Sequence, residues 1–193
     1  MVAKAANGAR IVMDDADRLR FLDELRRVVS SHGWLCMAYC MLDTHVHVVI
    51  CTPEPNLGDG MKLLLGDYAI TYNRRLGRSG YVFARPFWSR RVDKPYYVRC
   101  AVLCTVLNPV AAGLCRQPSE FRWSSYNETV GAVPPSGLLD PEILLRPLDE
   151  DAGRARIMFR EVVDDAVERL AARRGEVAWW KAVEAAAATQ GRG

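Results

Sequence analysis

Apolar residues recur along this chain with two different periods, and the period switches where one element gives way to the next. Phe21, Leu22, Leu25, Val28 and Val29 stand at i, i+1, i+4, i+7 and i+8, which is the stripe of an amphipathic helix. Asp14 and Asp15 precede it as candidate caps and Gly33 follows as a stop. Trp34 to Met41 and His45 to Cys51 are short apolar runs joined by the polar turn Asp43-Thr44, which predicts an antiparallel hairpin. Pro53 and Pro55 end the second run, Asn56 is placed to cap, and Leu57, Met61, Leu64, Leu65, Tyr68 and Tyr72 trace a second helix stopped near Gly77. Tyr81 to Val92 reads as an irregular strand interrupted by Pro86. Asp93 and Pro95 open a third helix running through Cys104 to Asn108, where Pro109 forces a boundary or kink by removing a donor and disfavouring helical geometry in the residue before it. Val133-Pro134-Pro135-Ser136-Gly137 reads as a linker. It divides the chain into a domain over 1–133 and a helical C-terminal region over 134–193, with helices expected at 138–148 and 154–188.

Within the second apolar run, strand alternation places His45, His47 and Val49 on one face and Val46, Val48 and Ile50 on the other. Two adjacent imidazoles can hold a divalent metal. Taken alone, the pair fits equally two half-exposed histidines with hydrogen-bond partners, because a buried imidazole without one costs free energy.

Composition narrows the class. With 193 residues, half of them hydrophobic and 25% charged, the chain can build one domain with a sizeable core plus a small appendage. The first residues lack the apolar stretch of a signal peptide, and no run approaches the roughly 18 apolar residues of a membrane span, so a cytoplasmic protein with no membrane partner is expected. Cys36, Cys40, Cys51, Cys100, Cys104 and Cys115 lie in apolar segments, as reduced, buried thiols do. Neither Cys36/Cys40 nor Cys100/Cys104 has zinc-knuckle spacing. The net charge of +3 conceals a concentration: eight basic residues face the single acid Asp93 between Arg74 and Arg99, whereas nine acids oppose eight bases from Asp149 to the end. Tyr72, Tyr81, Phe83, Phe87, Trp88, Tyr96 and Tyr97 are interleaved with those cations. Cations for phosphates beside flat rings for unstacked bases suit a single-strand nucleic-acid groove. Arg74, Arg75, Arg78, Arg85, Arg90 and Arg91 are the candidate contacts.

Four motifs occur in a fixed order: Cys40-Met41-Leu42-Asp43-Thr44-His45-Val46-His47, Tyr72-Asn73-Arg74-Arg75-Leu76-Gly77-Arg78-Ser79-Gly80-Tyr81-Val82-Phe83, Leu107-Asn108-Pro109-Val110-Ala111-Ala112-Gly113-Leu114, and Trp123-Ser124-Ser125-Tyr126. Over roughly residues 8 to 150 the chain resembles the REP-associated tyrosine transposases, a group of the HUH (His-hydrophobe-His) single-strand DNA transposases and nickases. That resemblance implies an α+β fold, an antiparallel sheet with helices packed on it in a ferredoxin-like or RRM-like core, followed by the helical appendage. It also implies Mg²⁺ or Mn²⁺ on His45 and His47 with Asn108 as amide-type third ligand, hairpin-containing single-stranded DNA as partner, and a helix-borne tyrosine attacking a phosphate. The chain departs from the family twice. Cys104 stands where the family carries its tyrosine, and Tyr97 lies two turns away on nearly the same face. Met1 to Gly8 is too short and too Ala-rich for the first strand that the family places beside the histidine strand, so either the sheet lacks that member or the start codon is misassigned. The implied function is a transposase-like single-stranded DNA-binding protein whose usual nucleophile is replaced. The alternative is an active nickase or strand transferase using Cys104 or a relocated tyrosine.

Overall fold

The protein is described by a computed structural model over residues 1–84 and 87–172. Its framework is a three-stranded antiparallel sheet, β1 (Val2–Lys4), β2 (Leu35–Met41) and β3 (His45–Cys51), in the order β1-β3-β2. The α+β class expected from the sequence is the one observed. The missing first strand is not: Val2, Ala3 and Lys4 pair with His47, Val46 and His45. Three residues suffice because the following segment pairs on their other side. Val2 and Trp88 exchange backbone hydrogen bonds at 2.8 Å, and Ala84 donates to the Lys4 carbonyl at 2.9 Å. The expected strand over 81–92 is thus reduced to two isolated bridges, Ala5 with Phe83 and Val2 with Trp88, on either side of residues 85–86.

One face of the sheet is closed by α1 (Asp15–Ser31) and α2 (Leu57–Arg75). Asp14 caps α1, its carboxylate accepting from the Asp17 N–H at 3.1 Å. Phe21, Leu25 and Val28 of α1 and Met61, Leu64 and Tyr68 of α2 form one buried cluster with Tyr39, Met41, Val46 and Val48 of the sheet. Asn56 occupies the N-cap of α2, as expected, but its side chain makes no capping hydrogen bond. Its carboxamide instead accepts from the Trp34 indole at 2.6 Å and donates to the His32 carbonyl at 3.0 Å, which docks the start of α2 onto the end of α1. Gly60 is required at that junction, since a Cβ there would fall 2.3 Å from the Trp34 ring.

The opposite face is covered by α3 (Pro95–Val106), the single turns α4 (Asn108–Ala111), α5 (Tyr126–Thr129) and α6 (Glu142–Leu145), and α7 (Ala152–Ala172). Lys94 rather than Asp93 occupies the N-cap of α3. Ala155, Phe159, Val163 and Val167, spaced by four along α7, share a second buried cluster with Val102 and Val106 of α3 and Met37, Ala38 and Val49 of the sheet. Residues from both sides of the Pro134-Pro135 segment therefore meet in one core. A bulge in β2 serves it: the pairing passes from Cys36 with Ile50 to Ala38 with Val49, so Met37 and Ala38 both turn to this side. Of the helix expected over 138–148 only α6 forms, and the expected helix over 154–188 is α7 as far as Ala172, the remainder lying outside the described residues. Cys36 and Cys40 are buried as expected, but Cys51 is exposed and Cys100, Cys104 and Cys115 are half-buried. Among the described residues no helix is long and apolar enough to cross a membrane.

Candidate nucleic-acid interface at the histidine pair

The alternation of β3 puts Val46 and Val48, both fully buried, against α1 and α2 and leaves His45 and His47 on the α3 side. Their ring centroids are 4.9 Å apart and the planes cross at 71°. His45 is oriented by its neighbour, with Thr44 Oγ1 3.0 Å from its Nδ1. His47 is met by Asn108, whose side-chain nitrogen lies 3.1 Å from His47 Nε2. Asn108 reaches the pair because the helical path does not stop at the break before Pro109. Leu107 still donates to Leu103 and Ala111 to Leu107, each at 2.9 Å, so α4 continues close to the line of α3 and Cys104 precedes Asn108 by about one turn.

Both imidazoles are held neutral. Burial lowers the pKa of His45, helped by the Lys4 ammonium and opposed by a hydrogen bond from the ring to Asn108. Burial takes His47 from 6.5 to about 3, with His45, the Met1 amino group and Lys4 adding repulsion. Neutral imidazoles keep lone pairs for a Lewis acid, and turning the Asn108 amide over would present its oxygen beside them, the two orientations being nearly indistinguishable by shape. Among the described residues no three His, Cys, Asp or Glu side chains could hold one ion together. His45, His47 and Asn108 form a set of three neutral side chains of the imidazole and amide type that can coordinate a divalent cation.

These donors open onto a cleft of about 2560 Å³. Lys4, Arg90, Arg91, Arg99 and Arg116 line it, against Glu54 and Asp93. Arg91 and Asp93 pair with each other at 2.6 Å in nearly full exposure, an arrangement that contributes little and exchanges readily. Cys104, Tyr97 and Trp88 also line the cleft, Trp88 with 53% of its surface exposed.

The predicted contacts divide between two places. Arg90 and Arg91 stand in the cleft with the histidines, whereas Arg74, Arg75 and Arg78 are outside it. Arg75 binds Asp14 and Asp17, the latter only 1% exposed, and Arg78 lies over the Tyr72 ring at 5.7 Å. Arg85 lies outside the described residues. Tyr72 and Phe83 are core residues, with Tyr72 donating to the Arg10 carbonyl at 3.0 Å, so neither offers a face to a base. The sequence reading overlooked Lys4, Arg99 and Arg116. For Lys4 the signal would have been a β1 pairing, which Met1 to Gly8 hardly announces.

No family model and no curated protein matches the chain. Among solved structures, it is similar to a REP-associated tyrosine transposase bound to a REP hairpin, with a TM-score of 0.56 and 15% identity over 72% of this chain and 80% of that one. The two share a fold. The fold class expected from the four motifs is thereby supported independently of sequence identity.

Proposed function

We propose that the protein is a transposase-like single-stranded DNA-binding protein of the HUH type, that its cleft takes hairpin-containing DNA, and that His45, His47 and Asn108 hold Mg²⁺ or Mn²⁺ beside a DNA phosphate. The observation that carries this reading is the convergence of His45, His47 and Asn108, the Asn108 side-chain nitrogen lying 3.1 Å from His47 Nε2, at a cleft whose basic residues outnumber its acids five to two among the described residues. Similarity of fold to a hairpin-bound transposase supports it. When bound, the ion polarises a phosphate and offsets developing charge. The chain's own residues do the rest: Arg90 and Arg91 contact backbone phosphates, Trp88 offers a ring to a base, and Asn108 spans the gap between helix and strand.

Cys104 sets the chemistry apart. It stands a turn before Asn108, and its thiol is several ångströms shorter than a phenol, so it stops short of a phosphate held at the donors. The expected outcome is DNA binding with little covalent adduct. The test is incubation with hairpin-containing single-stranded DNA and Mn²⁺ followed by a denaturing gel, together with a salt series. Affinity should fall with a log-log slope of about −0.7 per phosphate contact, and Arg90→Ala with Arg91→Ala should flatten it by about one unit or more. A salt-independent affinity would reject the reading.

A second reading, an active nickase or strand transferase, is favoured by one feature: Cys104 and Tyr97 both line the cleft. Abundant adduct lost in Cys104→Ser would make the thiol the nucleophile. Adduct lost only in Tyr97→Phe would give that role to the tyrosine.

A further inference from the structure

Lys4 stands directly across the β1–β3 ladder from His45, as Val2 stands across from His47. Directly paired residues project from the same face of a sheet. The burial pattern of β1 agrees: Ala3 is wholly buried in the cluster under α1 and α2, while Val2 and Lys4 line the cleft. The strand that carries Lys4 is held on both sides. Ala84 donates to the Lys4 carbonyl at 2.9 Å, and Ala5 donates to the Thr44 carbonyl at 2.8 Å, beside His45. The charge of Lys4 is felt by both imidazoles. A cation thus sits next to three donors that bring no negative charge of their own. It repels a bare divalent ion and attracts a phosphate diester, and the two effects have opposite sign.

Resting on the reading of the cleft as a DNA site, we propose that Lys4 is a phosphate-positioning residue: its ammonium holds a DNA phosphate diester against His45, His47 and Asn108 and makes metal binding there depend on that phosphate. DNA and metal then bind with positive coupling, each raising affinity for the other by the same factor. With the phosphate absent, the ammonium weakens binding of the ion. With it present, the phosphate charge offsets both cations.

The test compares wild type, Lys4→Met and Lys4→Arg in two titrations, a hairpin-containing single-stranded oligonucleotide followed by fluorescence anisotropy across a salt series, and Mn²⁺ without DNA followed by calorimetry. Lys4→Met should weaken DNA binding about fivefold and flatten the salt slope by about 0.7, while tightening Mn²⁺ binding about threefold by removing a like charge. Lys4→Arg should keep wild-type values in both titrations. Circular dichroism of all three keeps a folding defect from passing as a binding one. Salt-dependent wild-type DNA binding that Lys4→Met leaves unchanged overturns the proposal and spares the cleft reading. Mn²⁺ binding unchanged or weakened in Lys4→Met also overturns it, since a merely structural lysine would not oppose the metal. Wild type that binds no DNA removes the cleft reading itself, and the proposal with it.

Discussion

The two faces of one strand show how differently the same four-residue stretch can be used. Toward α1 and α2, Val46 and Val48 are sealed among aromatic and aliphatic side chains, where the Tyr68 and Tyr72 hydroxyls donate to the backbone carbonyls of Ile11 and Arg10. Toward α3, the intervening His45 and His47 sit half-buried at a cleft, neutral and close to a lysine. The first face contributes stability through burial and satisfied hydrogen bonds. The second gives some of it up, because a nonpolar residue in place of His47 would meet no desolvation cost. Stability and chemistry are divided by a period of two.

The sharpest way to break that division is to damage the closed face. Phe21 is fully buried and meets Tyr68 edge-on at a centroid distance of 5.1 Å. Phe21→Ala should cost about 3–5 kcal/mol in denaturant unfolding. The change lies across the sheet from the cleft, so whatever fraction remains folded should bind DNA as wild type does. A loss of affinity beyond the loss of folded protein would show that the two faces are not independent.

Acid should act through the open face. His47 binds a proton in the unfolded chain near its usual 6.5 but in the folded protein only near 3. Its folded value is depressed, so its share of stability is complete above 6.5 and is lost as pH falls from there toward about 3. Within that window the wild type should lose about 1.4 kcal/mol per pH unit on this account, and His47→Gln should lack that part of the slope. Urea midpoints of both proteins at several pH values measure it. Parallel slopes would mean that His47 is protonated while folded.

Smaller still is the effect of Tyr68→Phe, which keeps the ring and leaves the buried Ile11 carbonyl without its donor. Unfolding should become easier by about 1–2 kcal/mol, with DNA affinity unchanged. An altered affinity would tie the segment before α1 to the cleft.

Several of these contrasts were legible in the chain and others were not, for physical reasons. The period-two pattern of 45–50 and the Asp14 cap depend on local spacing, which sequence carries directly. The His-x-His and Asn-Pro motifs singled out His45, His47 and Asn108, and the fold brings Asn108 to His47. Charge density was a weaker guide. Arg75 belongs to the same basic run as Arg90 and Arg91, yet it is committed to Asp14 and Asp17, partners 61 and 58 residues away that no local pattern relates to it. Tyr72 and Phe83 looked like stacking platforms and are core, since an aromatic in a basic stretch does not disclose which side it presents. β1 was invisible because its three residues are strand-forming only through their neighbours, β3 on one side and the Ala84 and Trp88 backbone on the other. Lys4 went unnoticed with it.

The smallest expected effect on stability is also the most selective probe of the open face. Thr44 Oγ1 lies 3.0 Å from His45 Nδ1. As acceptor from Nδ1–H it favours the tautomer whose lone pair is on Nε2, and it stops the ring from turning. Thr44→Val preserves the shape and removes the oxygen. Thermal stability should change by no more than about 0.5 kcal/mol, as for a partly exposed hydrogen bond, while Mn²⁺ affinity measured with DNA present should fall about tenfold, as when an outer partner of a metal-bound histidine is removed. Thr44→Ser, which retains the hydroxyl, should restore most of it. If Thr44→Val binds Mn²⁺ as wild type does, His45 is not held for a metal. If it unfolds instead, the turn at Asp43-Thr44 belongs with the closed face, and the division drawn along β3 ends before its first residue.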